Sequence, residues 1–89
     1  MKVLAKIAEI KSYGDKNMID VIQALKNQGF MIIDDTVFDL LYQIKKHGQF
    51  VSLENAKNII HQLQVQGYKG LEDINEKKTW HILKIVETP

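Results

Sequence analysis

The sequence predicts a mainly α fold, a compact bundle of about four helices. Three internal stretches place apolar residues at the spacing of an amphipathic helix, and each is followed by a glycine that suits a helix end. The C-terminal segment 79–87 is less clear, because its β-branched and aromatic residues fit a strand as well as a helix. An α+β fold, in which strands at the two ends of the chain pair, is the alternative.

The three internal helices are expected over residues 16–28, 36–47 and 53–66. Their apolar stripes are Met18, Ile22 and Leu25 in the first, Val37, Leu40, Leu41 and Ile44 in the second, and Ala56, Ile59, Ile60 and Leu63 in the third. The expected N-caps are Asp15, then Asp34 or Asp35, then Ser52, and the terminating glycines are Gly29, Gly48 and Gly67. Each helix therefore carries a start signal, an apolar face and a stop signal.

The first and third of these helices end in the same short pattern. It reads Gln28-Gly29-Phe30 in the first and Gln66-Gly67-Tyr68 in the third, 38 residues later. A duplicated helical unit would produce such an echo, but a stable repeat array needs about three copies or more. We therefore interpret the pattern as two helices that end in the same way.

The N-terminal end and the segment before the C-terminal tail are also assigned from local patterns. Residues 2–12 contain good helix formers and place Val3, Leu4 and Ile7 at helical spacing, so we expect a helix there, with a strand as the rival. The short acidic stretch 71–78 is expected to form a helical turn or two.

Length and composition bound the class of protein. With 89 residues the chain should form a single small domain, 1–89. No apolar run approaches the roughly 20 residues that span a bilayer. The first ten residues carry charges where a secretory signal needs an uninterrupted apolar stretch. Cysteine is absent, which excludes disulfides and cysteine-ligated zinc, so we expect a cytoplasmic location.

The charge composition argues against sequence-specific DNA recognition. All 12 basic residues are lysines, and they are nearly balanced by 11 acidic residues, for a net charge of +1. Arginine supplies the planar fork that pairs with guanine edges and phosphates, whereas lysine is a hydrated point charge. A nucleic-acid partner is therefore less favoured than a protein partner.

No catalytic apparatus is recognisable. The five glycines are scattered as turn residues, so no phosphate-binding loop is formed, and the three histidines have no carboxylate at metal-ligand spacing. Asp34, Asp35 and Asp39 could hold Mg²⁺, but helix capping and a solvated helix start account for them better. We therefore expect no enzyme activity, no cofactor and no bound metal.

The remaining candidates are surfaces. A domain this small can leave apolar area uncovered for a partner, either another protein or a second copy of the chain. The candidate interface residues are Phe38, Tyr42, Phe50, Tyr68 and Trp80. The alternative is a small nucleic-acid-binding domain with a helix-turn-helix outline, and its candidate contacts are Lys45, Lys46, Lys57, Asn58 and Lys69.

A last pattern covers residues 8–48. Its parts are Ile10-Lys11-Ser12-Tyr13-Gly14, then Ile19, Asp20 and Leu25, then Gly29-Phe30, Ile32, Asp35 and Phe38. In these features the segment resembles the helical tail domain that follows the nuclease domain in some PIN-type prokaryotic proteins. The acidic metal-binding residues of those nucleases lie upstream of the tail, so the resemblance implies an accessory module and not a nuclease.

The resemblance also implies a phage, plasmid or toxin–antitoxin setting. A proline usual between the first two helices of such tails is missing here, and residues 51–89 have no counterpart in them. Together with the absence of catalytic motifs, these observations favour a non-enzymatic, protein-binding regulatory module.

Overall fold

The two ends of the chain pair with each other as long antiparallel strands. The computed structural model describes residues 1–12, 16–44, 51–70 and 77–87. In chain order the elements are β1 (Lys2–Ser12), α1 (Lys16–Asn27), β2 (Met31–Asp34), α2 (Asp35–Ile44), β3 (Val51–Ser52), α3 (Leu53–Val65) and β4 (Lys78–Glu87). The mainly helical bundle is therefore wrong, and so is the helix over 2–12. The fold is α+β, as in the alternative with paired terminal strands.

The described strands form one antiparallel sheet in the spatial order β2-β4-β1-β3. β1 and β4 pair along nearly their whole lengths, from Lys2 opposite Glu87 to Ser12 opposite Lys78. β2 pairs with the first half of β4, and the two-residue β3 pairs only with the start of β1. The last strand in the sequence therefore lies in the middle of the sheet.

A β-bulge in β1 explains why this strand looks like a helix in the sequence. Its register against β4 shifts between Lys6 and Ala8, so Ile7 is an extra residue. Odd-numbered residues face one side of the sheet before Ile7, and even-numbered residues face that side after it. The change of phase breaks the two-residue period of a strand and leaves apolar residues at intervals that mimic a helix.

Helices cover both faces of the sheet along β4. The four consecutive residues from Trp80 to Leu83 are all buried. Because successive side chains of a strand point to opposite faces, Trp80 and Ile82 lie on one face, and His81 and Leu83 lie on the other. We call these the α1 face and the α2–α3 face, after the helices that cover them.

The core on the α2–α3 face is the larger of the two. Its buried members are Leu4, Ile33 and Leu83 from the sheet, Val37 and Leu41 from α2, and Leu53 and Ala56 from α3. On the α1 face, Ile22 packs against Trp80, and both side chains are fully buried. Partly buried isoleucines from β1, α1 and β2 surround this pair: Ile10, Ile19 and Ile32.

The three internal helices are confirmed over the described residues, and two of their predicted N-caps are in place. The Asn55 N–H donates to Ser52 Oγ at 3.2 Å, and the Val37 N–H donates to Asp34 Oδ1 at 3.2 Å. Each bond satisfies an N–H group that the first turn of a helix leaves without a backbone partner. Asp15, Gly48, residues 45–47 at the predicted end of the second helix and residues 71–76 lie outside the described residues, whereas Lys78, the last residue of the predicted helical turn, begins β4. No helix in the described ranges is long and apolar enough to cross a membrane.

Helices α1 and α3 end in the same hydrogen-bonded motif, as their shared sequence pattern indicates. In α1 the Gly29 N–H donates to the Lys26 carbonyl and the Phe30 N–H donates to the Leu25 carbonyl. In α3, Gly67 donates to Gln64 and Tyr68 donates to Leu63. The two glycines have φ values of +96° and +106°. This pair of bonds defines a Schellman motif, which places a left-handed residue directly before the aromatic one.

We predict that Gly67→Ala destabilises the fold by about 1–2 kcal/mol, because an L-residue is strained at positive φ. No atom lies within 4 Å of the position that the new Cβ would take, so the cost comes from the backbone and not from a clash. Urea denaturation gives the free energy of unfolding. Gln62→Ala, on the exposed side of α3, is the control and should change it by less than about 0.5 kcal/mol. Equal stabilities of the two variants would contradict the prediction.

Candidate functional site

The two Schellman motifs place Phe30 and Tyr68 in the lining of one groove. The groove has a volume of about 440 Å³ and runs beside β2, between the end of α1 and the end of α3. Its apolar lining includes Phe30, Met31, Ile32, Ile60 and Tyr68. We call it the β2 groove. Aromatic residues and methionine are enriched at protein interfaces, so this lining is typical of a binding surface.

Phe30 differs from the other apolar residues of the β2 groove in its packing. Met31, Ile60 and Tyr68 pack against the core on the α2–α3 face, and Ile32 packs against the core on the α1 face. Phe30 is half-buried and belongs to neither cluster. Its ring therefore contributes more to the groove than to the core.

The charge at the rim of the β2 groove has one sign. Of the described residues that line the groove, Lys26 and Lys69 are charged, and none is Asp or Glu. Lys26 lies in the last turn of α1, and Lys69 follows the end of α3. The groove therefore combines an apolar floor with a cationic rim.

β2 itself is an edge strand. β4 pairs with one side of it, and no other described strand pairs with its outer side. In an antiparallel pair, alternate residues direct their N–H and C=O groups away from the partner strand. The segment Met31-Ile32-Ile33 carries no charge and no proline, which are the devices that commonly protect an edge from a further strand.

The outer side of β1, unlike that of β2, carries features that protect a strand against pairing with a further strand. β3 covers only Val3 and Leu4 there. The remainder of β1 carries the bulge at Ile7 and the exposed charged residues Lys6 and Glu9. A bulge and charged side chains both discourage the addition of a strand. Among the described residues, β2 is therefore the edge better suited to pair with a partner.

A second cavity lies at the other end of β2. Its volume is about 370 Å³. Its lining consists of three lysines, two aspartates and two threonines: Lys11, Lys77, Lys78, Asp34, Asp35, Thr36 and Thr79. We call it the lysine cavity. It joins the end of β1 and the start of β4 to the junction between β2 and α2.

Both carboxylates of the lysine cavity are engaged within the fold. Asp34 is buried, caps α2 through the Val37 N–H, and accepts from Lys78 Nζ at 3.5 Å. Asp35 Oδ1 lies 2.5 Å from His81 Nε2. An ionised carboxylate only accepts hydrogen bonds, so His81 Nε2 is the donor in this pair.

A polar cluster follows His81 along the α2–α3 face. The His81 ring stacks on Phe38, with centroids 4.0 Å apart and planes at 7°. Lys6 Nζ lies 4.7 Å from the centroid of the same Phe38 ring and forms an ion pair with Glu9. Lys6 and Glu9 pair with each other and His81 is hydrogen-bonded to Asp35, which indicates a structural polar cluster.

The charge of Lys6 controls the ionisation of Glu9. The hydrogen bond from Lys6 and its positive charge hold the pKa of Glu9 below its ordinary value of 4.5. The pKa is thus lower in the folded than in the unfolded chain. The interaction contributes stability that is present above about pH 4.5 and is lost as the pH falls through the lowered pKa.

The aromatic residues proposed for a partner interface lie in different places. Trp80 is fully buried in the core, so its side chain offers no surface to a partner. Phe38 packs on His81, and Tyr68 lines the β2 groove. The side chain of Tyr42 and all of Phe50 lie outside the described part of the structure. The sequence pattern therefore identified one groove residue, Tyr68, and placed a core tryptophan in the same set.

The residues proposed for nucleic-acid contacts are separated. Lys57 and Asn58 line a groove beside the N-terminus and the start of α3, whereas Lys69 lines the β2 groove. Lys45 and Lys46 lie outside the described residues. The described members of the set therefore belong to two different surfaces.

The acidic residues that the sequence offers for Mg²⁺ are also divided. Asp34 and Asp35 bind different partners, as given above, and within the described ranges no group of three or more His, Asp and Glu side chains is arranged to hold a metal ion. The groove residues that sequence reasoning missed are Phe30, Met31, Ile32 and Lys26. The shared Gln-Gly-aromatic pattern could have identified Phe30, and the uncharged Met-Ile-Ile segment could have identified Met31 and Ile32, but no local signal marks Lys26.

Lys6→Met should raise the pKa of Glu9 toward 4.5, because it removes both the hydrogen bond and the positive charge. An NMR titration of the Glu9 side-chain carboxyl carbon measures the shift. Lys57→Met, on α3, removes the same charge from a different surface and should leave the Glu9 titration unchanged. A Glu9 pKa unaffected by Lys6→Met would show that the ion pair is not formed in solution.

The chain matches no protein-family model, no curated protein and no solved structure.

Proposed function

We propose that this protein is a non-enzymatic binding module that accepts an extended segment of another protein along the outer edge of β2. One observation carries the proposal: among the described strands, β2 has an outer side without a partner strand along the uncharged segment Met31-Ile32-Ile33, directly beside an apolar groove that contains two aromatic residues. A segment that adds to a sheet edge gains main-chain hydrogen bonds, and pockets beside the edge select its alternate side chains.

The contrast between the two sheet edges supports this proposal. β1 presents charges and a bulge toward solvent, whereas the Met31-Ile32-Ile33 segment of β2 has neither a charge nor a bulge. The lysines at the groove rim favour a partner whose segment is acidic as well as apolar, since opposite charges guide association. The nucleic-acid alternative has less support, because its described residues belong to two surfaces. A cytoplasmic location and a phage, plasmid or toxin–antitoxin setting remain part of the proposal.

The first test asks whether extended peptides bind and whether Phe30 anchors them. Two libraries of peptides of about ten residues, long enough to pass the four-residue edge, are panned against the intact protein, one with free C-termini and one between fixed flanks. The affinities of selected peptides are then measured by fluorescence anisotropy. We expect Phe30→Ala to weaken them at least tenfold, or about 1.4 kcal/mol, as for a central aromatic anchor.

The matched control for Phe30→Ala is Val65→Ala. Val65 is an apolar residue of α3 that is 76% exposed and does not line the β2 groove. Its truncation should leave peptide affinity within about twofold, well below the effect of a hot-spot residue. The thermal midpoints of both variants show whether the fold is kept. If neither library yields a peptide whose affinity depends on Phe30, the proposed function is wrong.

A second arm locates the bound segment. Hydrogen exchange of the backbone amides of β2 should slow when a selected peptide binds, because outward N–H groups gain partners. The amides of α3 that are bonded within the helix should be unaffected. Protection of α3 without protection of β2 would place the peptide on another surface and would contradict strand addition.

A further inference from the structure

The two lysines at the rim of the β2 groove lie on opposite sides of the sheet. Lys26 belongs to α1, which covers the α1 face, and Lys69 follows the end of α3, which covers the α2–α3 face. Both residues are exposed and line the groove. A strand added at the outer edge of β2 would therefore have one ammonium group on each side of it.

The apolar part of the β2 groove, unlike its charge, lies mainly on one face. Met31 and Ile33 pack against the core on the α2–α3 face, whereas Ile32 packs against the core on the α1 face. The groove residues Ile60 and Tyr68 also belong to the α2–α3 side. The side chains of an added strand would therefore meet mostly apolar surface on the α2–α3 face.

The two-residue period of a strand converts this arrangement into a sequence pattern. Successive side chains of a strand point to opposite faces of the sheet, so two adjacent residues of the partner face the two lysines. An acidic residue at each of these positions places one carboxylate beside each ammonium group, whereas a single acidic residue reaches only one. The next residue of the partner that faces the α2–α3 side, two places further along, meets apolar surface.

We propose that the partner segment carries two adjacent acidic residues, one facing Lys26 and the other facing Lys69, and that the residues beyond this pair are apolar on the α2–α3 face. This inference rests on the proposed function, because it assigns the sequence pattern of the segment that the β2 edge accepts. Acidic segments that lack the adjacent pair bind more weakly, because one of the two lysines has no carboxylate beside it.

A second copy of this chain would bring an acidic pair of its own to the same place. If two β2 strands paired antiparallel, Asp34-Asp35 of one copy would lie beside the start of β2 of the other. Both carboxylates are engaged within their own fold, however. Asp34 is buried, caps α2 and accepts from Lys78, and Asp35 is hydrogen-bonded to His81. The partner segment therefore belongs to another protein.

The test begins with the peptides selected on the intact protein. Adjacent pairs of Asp or Glu should be enriched among them relative to the unselected libraries. The selected peptide of highest affinity is then synthesised in two further forms, with Lys in place of the first or of the second acidic residue. Fluorescence anisotropy gives the affinity of all three forms for the unmodified protein, Lys26→Glu and Lys69→Glu.

Each charge reversal should weaken the unmodified peptide by about fivefold and be rescued by one substituted peptide only, a different one for each lysine. Lys57→Glu, which reverses a charge in another groove, is the control and should distinguish neither substituted peptide from the other. The thermal midpoints of the variants show whether the fold is kept. If a reversal prevents folding, Lys→Gln at the same position should remove the benefit of one acidic residue and not of the other.

The two proposals fail in different ways. If no selected peptide depends on Phe30, strand addition at β2 is wrong and the acidic pair is wrong with it. If peptides depend on Phe30 but lack adjacent acidic residues, or if both substituted peptides rescue both variants equally, only the acidic pair is overturned. Sedimentation equilibrium without peptide tests the remaining occupant: a dimer that Lys69→Glu dissociates would assign the edge to a second copy and overturn the inference.

Discussion

The pairing of β1 with β4 is the constraint on which the rest of the fold depends. It joins residues 2–12 to residues 78–87, so the sheet forms only when the whole intervening chain is closed into a loop. The entropic cost of closing a long loop grows slowly with the length of the loop. Burial of apolar side chains on both faces of β4 offsets this cost. Once β4 is central, α1 must cover Trp80 on one face, and α2 and α3 must cover Leu83 on the other.

The same constraint leaves β2 at the edge of the sheet that the described strands form. β4 has two sides, and β1 takes the whole of one, so β2 pairs with the other side over four residues. The ends of α1 and α3 then lie beside β2, and their Schellman motifs bring Phe30 and Tyr68 into one groove. The candidate binding surface is thus a consequence of how the second side of β4 is paired. It is built from segments that lie far apart in the sequence.

Sequence reasoning could predict parts of this surface but could not assemble it. The N-cap at Asp34 and the glycine-aromatic ends of two helices follow from local hydrogen bonding, and both are present. Composition does not distinguish a core aromatic from an exposed one, so the sequence groups the buried Trp80 with the interface candidates. The lysine cavity could not be predicted either, since Lys11 and Lys77 come together only through the register of β1 against β4.

By itself the sequence determined the three helices, because caps, apolar stripes and terminating glycines act within a few residues of one another. Only the tertiary structure decided the state of the two ends. The bulge at Ile7 hides the strand period of β1, and the long-range pairing of β1 with β4 outweighs the local helix preference of residues 2–12. The tertiary structure also decided which strand lies at the edge of the sheet. An edge strand is one that lacks a neighbouring strand on one side, and no local sequence pattern encodes the lack of a neighbour.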